Sequence, residues 1–78
     1  MAQFPSMKAR ALMYVLKKAP LHYGVARQKG SHRVLKSAAG YPVLHFAFHD
    51  SQTVSPGLVR KILVDDVGLS ESRALELV

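Results

Sequence analysis

The stretch Val43-Leu44-His45-Phe46-Ala47-Phe48 decides the fold, because it is the clearest alternating pattern in this chain of 78 residues. Side chains of a β-strand point to alternate sides, so a period of two predicts a strand with one buried face. We expect a strand over 43–48 whose aromatic face packs against helices. The inner face would carry Leu44, Phe46 and Phe48, and the outer face Val43, His45 and Ala47.

Two more strands are expected before this one. Residues 22–28 and 32–37 are predicted as strands, and Lys29-Gly30-Ser31 between them is a turn signal. A second turn signal, residues 38–42 with Gly40 inside it, leads into the strand over 43–48. Three strands joined by such short turns predict an antiparallel sheet.

The pleat predicts which side chains share a face of this sheet. Leu35 is the expected core residue of the second strand, so His32 lies on the opposite, free face or edge of the sheet. In the first strand, strict alternation places Tyr23, Val25 and Arg27 on one side.

Residues before the strands have the spacing of a helix. Ser6 is the expected cap of this first helix, and Pro20 is expected to end it. The predicted buried stripe consists of Ala9, Leu12, Met13 and Leu16.

Two helices are expected after the strands. Ser55 and Pro56 form a start signal, and Gly68 is placed to end the helix. Ser70 then caps a short last helix that carries Leu75 and Val78. The predicted fold is α+β, with helices on one face of a three-stranded antiparallel sheet. The expected stripe of the second helix is Leu58, Val59, Ile62 and Leu63.

Composition limits the class of protein. A chain of 78 residues, 49% of them hydrophobic, is expected to fold as one small domain spanning 1–78. The chain has no cysteine, which excludes a disulfide scaffold, a thiolate zinc site and a cysteine nucleophile. No apolar run approaches the roughly 18 residues that indicate a membrane span, and the residues after Met1 lack the pattern of a signal peptide.

Positive charge is concentrated in the first part of the chain. Residues 1–49 contain eight Lys or Arg and no Asp or Glu, whereas residues 50–78 contain three and five. The corresponding net charges are +8 and −2. A half with this excess is typical of a surface that binds a polyanion such as nucleic acid, although a merely solvated face has the same composition.

One histidine stands out within the basic half. In Arg27-Gln28-Lys29-Gly30-Ser31-His32, the histidine follows a tight turn and is flanked by Arg27, Lys29 and Arg33. An imidazole can accept or donate a proton near neutrality, and the cations would attract a phosphate. The Gly30-Ser31 turn would add backbone N–H donors. The pattern suggests RNA chemistry that needs no metal, in which the RNA supplies its own 2′-hydroxyl nucleophile, although a histidine that merely flanks a turn has the same sequence.

A second histidine would help such a reaction, which needs both a base and an acid. His49 is the first candidate because it follows the third strand, although it also fits a polar loop residue beside Asp50. His45 lies on the outer face of that strand, where it would line the same surface or stay a half-exposed strand residue. In a continuous strand these two histidines would be roughly 13 Å apart, too far to share one metal ion, so no metal is expected.

The motif and its surroundings resemble the HicA toxins, which pair with HicB antitoxins in type II toxin–antitoxin systems. The hexapeptide 27–32 is similar to the signature of that family. Further likeness is found at Gly40, at His49, over 55–63 and over 67–70. The resemblance implies a fold like the double-stranded-RNA-binding domain, in the order α-β-β-β-α(-α), and activity as an endoribonuclease that cleaves messenger RNA.

The resemblance also implies roles and partners. It maps the catalytic histidine of the family onto His32, and it implies a cognate HicB-type antitoxin that covers this site. It implies a prokaryotic cytoplasmic protein, and we expect no membrane partner and no small-molecule cofactor. Two other readings stay open from the residues: a non-catalytic RNA-binding module on the same fold, and an interaction protein whose basic face docks an acidic partner.

Overall fold

A computed structural model of the chain describes residues 3–78, and its α+β architecture confirms the predicted fold class. Met1 and Ala2 of the predicted domain 1–78 lie outside the described residues. None of the helices within 3–78 has the length and apolar character needed to cross a membrane. The strands are β1 (Met7–Lys8), β2 (Tyr23–Lys29), β3 (His32–Ser37), β4 (Leu44–Ala47) and β5 (Thr53–Val54). The helices are α1 (Ala9–Lys17), α2 (Pro56–Arg60), which continues as a π-helical segment (Lys61–Asp66), and α3 (Glu71–Leu77).

Strands β2, β3 and β4 form an antiparallel sheet in that order, as predicted. Their limits differ from the expected ones by a residue at most at each end. The short strands β1 and β5 were not predicted; they pair with each other, Met7 opposite Val54. The double-stranded-RNA-binding-domain likeness stays a prediction.

All three helices pack on one face of the three-stranded sheet. Leu35, Leu44 and Phe46 are buried on that face, as predicted, and Phe48 packs edge-on against Phe46 with ring centroids 5.1 Å apart. Burial of such side chains stabilises the domain by roughly 1.5–3 kcal/mol each. The helices contribute Ala9, Leu12, Leu16, Val59, Leu63 and Ala74, each with no exposed surface.

The first helix begins later than predicted. Its cap is Lys8, which makes no side-chain capping bond, so the expected Ser6 cap is wrong. The N–H groups of the first turn, which have no acceptor within the helix, donate instead to residues distant in sequence. Ala9 N–H donates to the carbonyl of Gln52 (2.8 Å) and Arg10 N–H to that of Asp50 (3.2 Å). The 50–52 loop therefore caps α1.

The expected stripe of the second helix needs one correction. Val59, Ile62 and Leu63 are buried, but Leu58 is 41% exposed and does not belong to the buried stripe. The predicted cap is confirmed, because the Ser55 hydroxyl accepts a hydrogen bond from Leu58 N–H. The last helix begins as predicted, with the Ser70 hydroxyl accepting from Arg73 N–H.

A β-bulge corrects the predicted orientation of β2. Val25 pairs with Leu35, but the next pair is Arg27 with Val34, so Ala26 has no partner across the ladder. An extra residue in one strand reverses the side to which all following side chains point. Arg27 therefore lies on the opposite face from Tyr23 and Val25, and the expected common side is wrong.

Candidate active site

The free face of the sheet presents two rows of side chains, one residue from each strand. Antiparallel partners share a face, so the ladder places Lys29, His32 and Ala47 in the row nearest the β2–β3 turn. The second row consists of Arg27, Val34 and His45. Directly opposite residues have Cβ atoms about 4.5–5.5 Å apart and diagonal ones roughly 7–8 Å, which brings two cations and two imidazoles together.

These rows line an open depression of about 480 Å³. Lys29, His32 and His45 are exposed, and Val34 between them is half-buried. The residues that line the depression include no carboxylate. The electrostatic character of the site is therefore positive, and it is accessible to a large anionic ligand.

The turn beside His32 depends on Gly30. Gly30 and Ser31 are the two loop residues between the paired Lys29 and His32. The φ of Gly30 is +61°, in the region that favours glycine, which fits the first position of a two-residue hairpin turn. The Gln28 side chain donates to the Gly30 carbonyl (3.1 Å) and steadies the turn. Lys29 and His32 are thereby held opposite each other.

Arg33 also lines the depression, but its guanidinium is engaged away from it. It follows His32 in the strand, so its side chain points to the helix face, where Nη2 donates to Asp50 Oδ1 at 2.8 Å. The Arg33 side chain is only 13% exposed, whereas that of Asp50 is 63% exposed. The hydrogen bond and the charge of Arg33 hold the pKa of Asp50 below its ordinary value, and the charges of Arg10 and Lys17 add to this effect.

The structure separates the two candidate partners of His32. His45 lies in the depression, one row from His32 and diagonal to it. His49 lies beyond the end of β4 in an exposed turn, where its backbone N–H donates to the Gln52 side chain (3.3 Å) and its carbonyl accepts from Gln52 N–H (2.9 Å). Alternation of the third strand had placed His45 on the outer face, although His49 was the first candidate from the sequence pattern.

This arrangement supports proton transfer beside a bound phosphate. Each imidazole can act as acid or base, and a lysine and an arginine flank them to balance negative charge that develops on a phosphate. Among residues 3–78 no three His, Cys, Asp or Glu side chains cluster as a candidate metal site.

The site lies within a recognised family of sequences. A family model described as the HicA toxin of bacterial toxin–antitoxin matches residues 9–69 of the 78. The matched span includes all the residues that line the depression. No curated protein matches the chain, and no solved structure does.

Proposed function

The chain belongs to the HicA toxins of bacterial toxin–antitoxin systems, and from that membership we propose that it is an endoribonuclease that cleaves messenger RNA without a metal ion. Its partner in the system is an antitoxin. The observation that carries the proposal is the exposed His32 between Lys29 and Ala47 on an open, basic sheet face without carboxylates. A HicB-type antitoxin would silence the toxin by covering this face.

The proposed reaction begins on the RNA itself. A base removes the proton of a 2′-hydroxyl, whose oxygen attacks the adjacent phosphorus while the bond to the 5′-oxygen breaks. An acid returns a proton to that leaving oxygen. The products carry a 2′,3′-cyclic phosphate and a 5′-hydroxyl, so DNA, which lacks the 2′-hydroxyl, is not cut.

Lys29 is the proposed cation for the reacting phosphate, because it is the direct ladder partner of His32. Arg27 in the next row would bind the same or a neighbouring phosphate. Backbone N–H groups of Gly30 and Ser31, at the end of the hairpin, are the proposed donors to a non-bridging oxygen. These cations and N–H donors would stabilise the negative charge that develops on the phosphate in the transition state.

His45 takes the second proton-transfer role in this proposal. Cleavage needs an acid and a base on opposite sides of the phosphorus, and the diagonal separation from His32 of roughly 7–8 Å leaves room for a phosphate between them. His49 was the first candidate from the sequence. Its position outside the depression favours His45 instead.

The test is cleavage of a defined messenger RNA in EDTA by the wild-type chain, by His32→Ala and by His49→Ala. We expect cyclic-phosphate products from the wild type and from His49→Ala, and a loss of about 10²–10⁴-fold for His32→Ala. His49 is the matched control because it is an exposed histidine outside the depression. RNA that stays intact with all three chains but is bound by them would leave a non-catalytic RNA-binding module and contradict the proposal.

A further inference from the structure

A second groove lies on the helix side of β2, and nothing in the proposed reaction uses it. It has a volume of about 370 Å³ and runs between α1 and the edge of the sheet. Arg10, Tyr14 and Lys17 line it from α1, and Val25 and Gln28 line it from β2. The Arg33–Asp50 ion pair lies at the same groove.

The side chains from α1 form one exposed stripe. Residues 10, 14 and 17 are spaced i, i+4 and i+7, so they follow one side of the helix over about 10 Å. Within residues 3–78 the ion pairs involve neither Arg10 nor Lys17. The one carboxylate of the groove, Asp50, is already engaged by Arg33. Two cations are therefore available to an anionic ligand.

An aromatic ring lies between these two cations. Tyr14 is 68% exposed, which makes it the most exposed large hydrophobic side chain among the described residues. The ammonium of Lys18 lies 5.5 Å from the centre of its ring. Val25, across the groove, is 42% exposed. A ring beside cations is the combination that binds unpaired nucleic acid, since bases stack on the ring and phosphates meet the charges.

The two concave surfaces meet along a single strand. β2 is an edge strand of the sheet. Arg27 and Lys29 line the His32 depression, Val25 lines the groove, and Gln28 lines both. A ligand that crosses this edge passes from one surface to the other without meeting an unpaired carboxylate.

We infer that the α1–β2 groove is a second RNA subsite, which binds an unpaired segment of the substrate beside the scissile phosphate through Arg10, Tyr14 and Lys17. This inference rests on the proposed function for the identity of the substrate. It assigns the RNA a path over the edge of β2, with one segment at His32 and the next against α1. Long substrates then gain affinity that short ones lack.

The test measures binding apart from cleavage. In the His32→Ala background, fluorescence anisotropy gives the affinity of an unpaired 12-nucleotide RNA and of a tetranucleotide for chains with and without Arg10→Gln/Lys17→Gln. We expect the double substitution to weaken binding of the 12-mer between about twofold and thirtyfold, with little effect on the tetranucleotide. The slope of log K against log salt falls by about 1.4 for the 12-mer, because two phosphate contacts are lost.

The matched control is Lys61→Gln/Arg73→Gln, which removes the same charge from exposed positions on the C-terminal helices. Equal weakening by the two double variants would mean that net charge alone attracts RNA, and it would overturn the subsite. Tyr14→Leu separates stacking from charge: we expect about fivefold or greater weakening for the 12-mer, restored by Tyr14→Phe.

The measurements distinguish failure of the proposed reaction from failure of the proposed subsite. If the wild type does not cleave but the 12-mer still depends on Arg10, Lys17 and Tyr14, the groove binds RNA and the reaction is wrong. If the wild type cleaves and Arg10→Gln/Lys17→Gln leaves binding of both RNAs unchanged, the reaction stands and the subsite is wrong. Loss of antitoxin binding with RNA binding unchanged would assign the groove to a protein partner and overturn the inference.

Discussion

His32 lies directly opposite Ala47 in the β3–β4 ladder, so only a methyl group flanks the imidazole on that side of the depression. A small residue here leaves room for a phosphate beside His32. In the same row, Lys29 lies on the other side of His32. The His32 imidazole is therefore accessible on the Ala47 side and has a positive charge, that of Lys29, on the other.

Ala47→Leu should close this opening. The side chain is exposed, so we expect little change in stability, but a leucine would occupy the space beside His32 and reduce RNA cleavage by about tenfold or more. The measurement is the initial rate on a defined RNA, with the melting temperature as a check on folding. Ala47→Ser adds one oxygen and serves as control; a leucine variant that cleaves as fast as the serine variant would show that substrate does not approach on this side.

His45 should matter more than His49. His45 shares the depression with His32, whereas His49 lies in the turn after β4. We expect His45→Ala to lower cleavage by about 10²-fold or more and His49→Ala to change it less than threefold, because general acid–base catalysis requires contact with the reacting groups. Single-turnover rates on one RNA measure both. A larger loss of cleavage for His49→Ala than for His45→Ala would instead assign the second proton-transfer role to His49.

Gly30→Ala should disturb the turn. A φ of +61° is costly for a residue with a Cβ, and the space around Gly30 is open, so the penalty is conformational rather than steric. We expect a loss of about 1–2 kcal/mol in the free energy of unfolding, measured by denaturant titration, together with weaker cleavage.

Gly24 provides the matched control for that substitution. It lies in β2 with no positive φ and equally open surroundings, so Gly24→Ala should be neutral or slightly stabilising. Equal losses at both positions would mean that the turn tolerates a Cβ and that the loss has another cause.

Lowering the pH should weaken the ion pair between Arg33 and Asp50. The hydrogen bond and charge of Arg33 lower the pKa of Asp50 in the folded chain, so the pair stabilises the fold above the ordinary pKa of an aspartate and loses this contribution as pH falls. We expect Asp50→Asn to be less stable than the wild type at neutral pH and to lose less stability on acidification. Urea unfolding from pH 7 to pH 3 measures this. Parallel curves for the two chains would rule out a role for this pair in acid sensitivity.

The alternating pattern in 43–48 predicted the buried Leu44 and Phe46 and the outward His45, because burial of one sheet face imposes a period of two. The same reasoning failed in β2. A bulge depends on pairing with a second strand, and no feature of residues 25–27 alone reveals that Ala26 is skipped. The placement of Arg27 in the same row as His45, with Val34 between them, therefore had to come from the structure.

Arg33 shows a second limit. Its nearness to His32 in sequence suggested phosphate binding, which stays a prediction; Arg33 lines the depression, but its guanidinium pairs with Asp50 because neighbouring residues of a strand point to opposite faces. Its partner Asp50 is 17 residues away, and only the folded loop brings the two together. The cap of α1 could not be predicted for the same reason. The local sequence indicated Ser6, whereas the backbone carbonyls that accept from the first turn belong to the distant 50–52 loop.

The distant cap of α1 also sets an order for chain synthesis. The first helix is synthesised early, but the carbonyls of Asp50 and Gln52 that cap it follow much later. The Ser51 carbonyl, which accepts a hydrogen bond from Lys8 Nζ, comes 43 residues after Lys8, and β5, the partner of β1, comes later still. A nascent chain that stops before residue 50 has no acceptors for the first turn of α1 and no strand to pair with β1. The capping carbonyls of α1 and the strand that pairs with β1 therefore become available only after residue 54 has been made, so this corner of the domain is the last part of the N-terminal half to be completed.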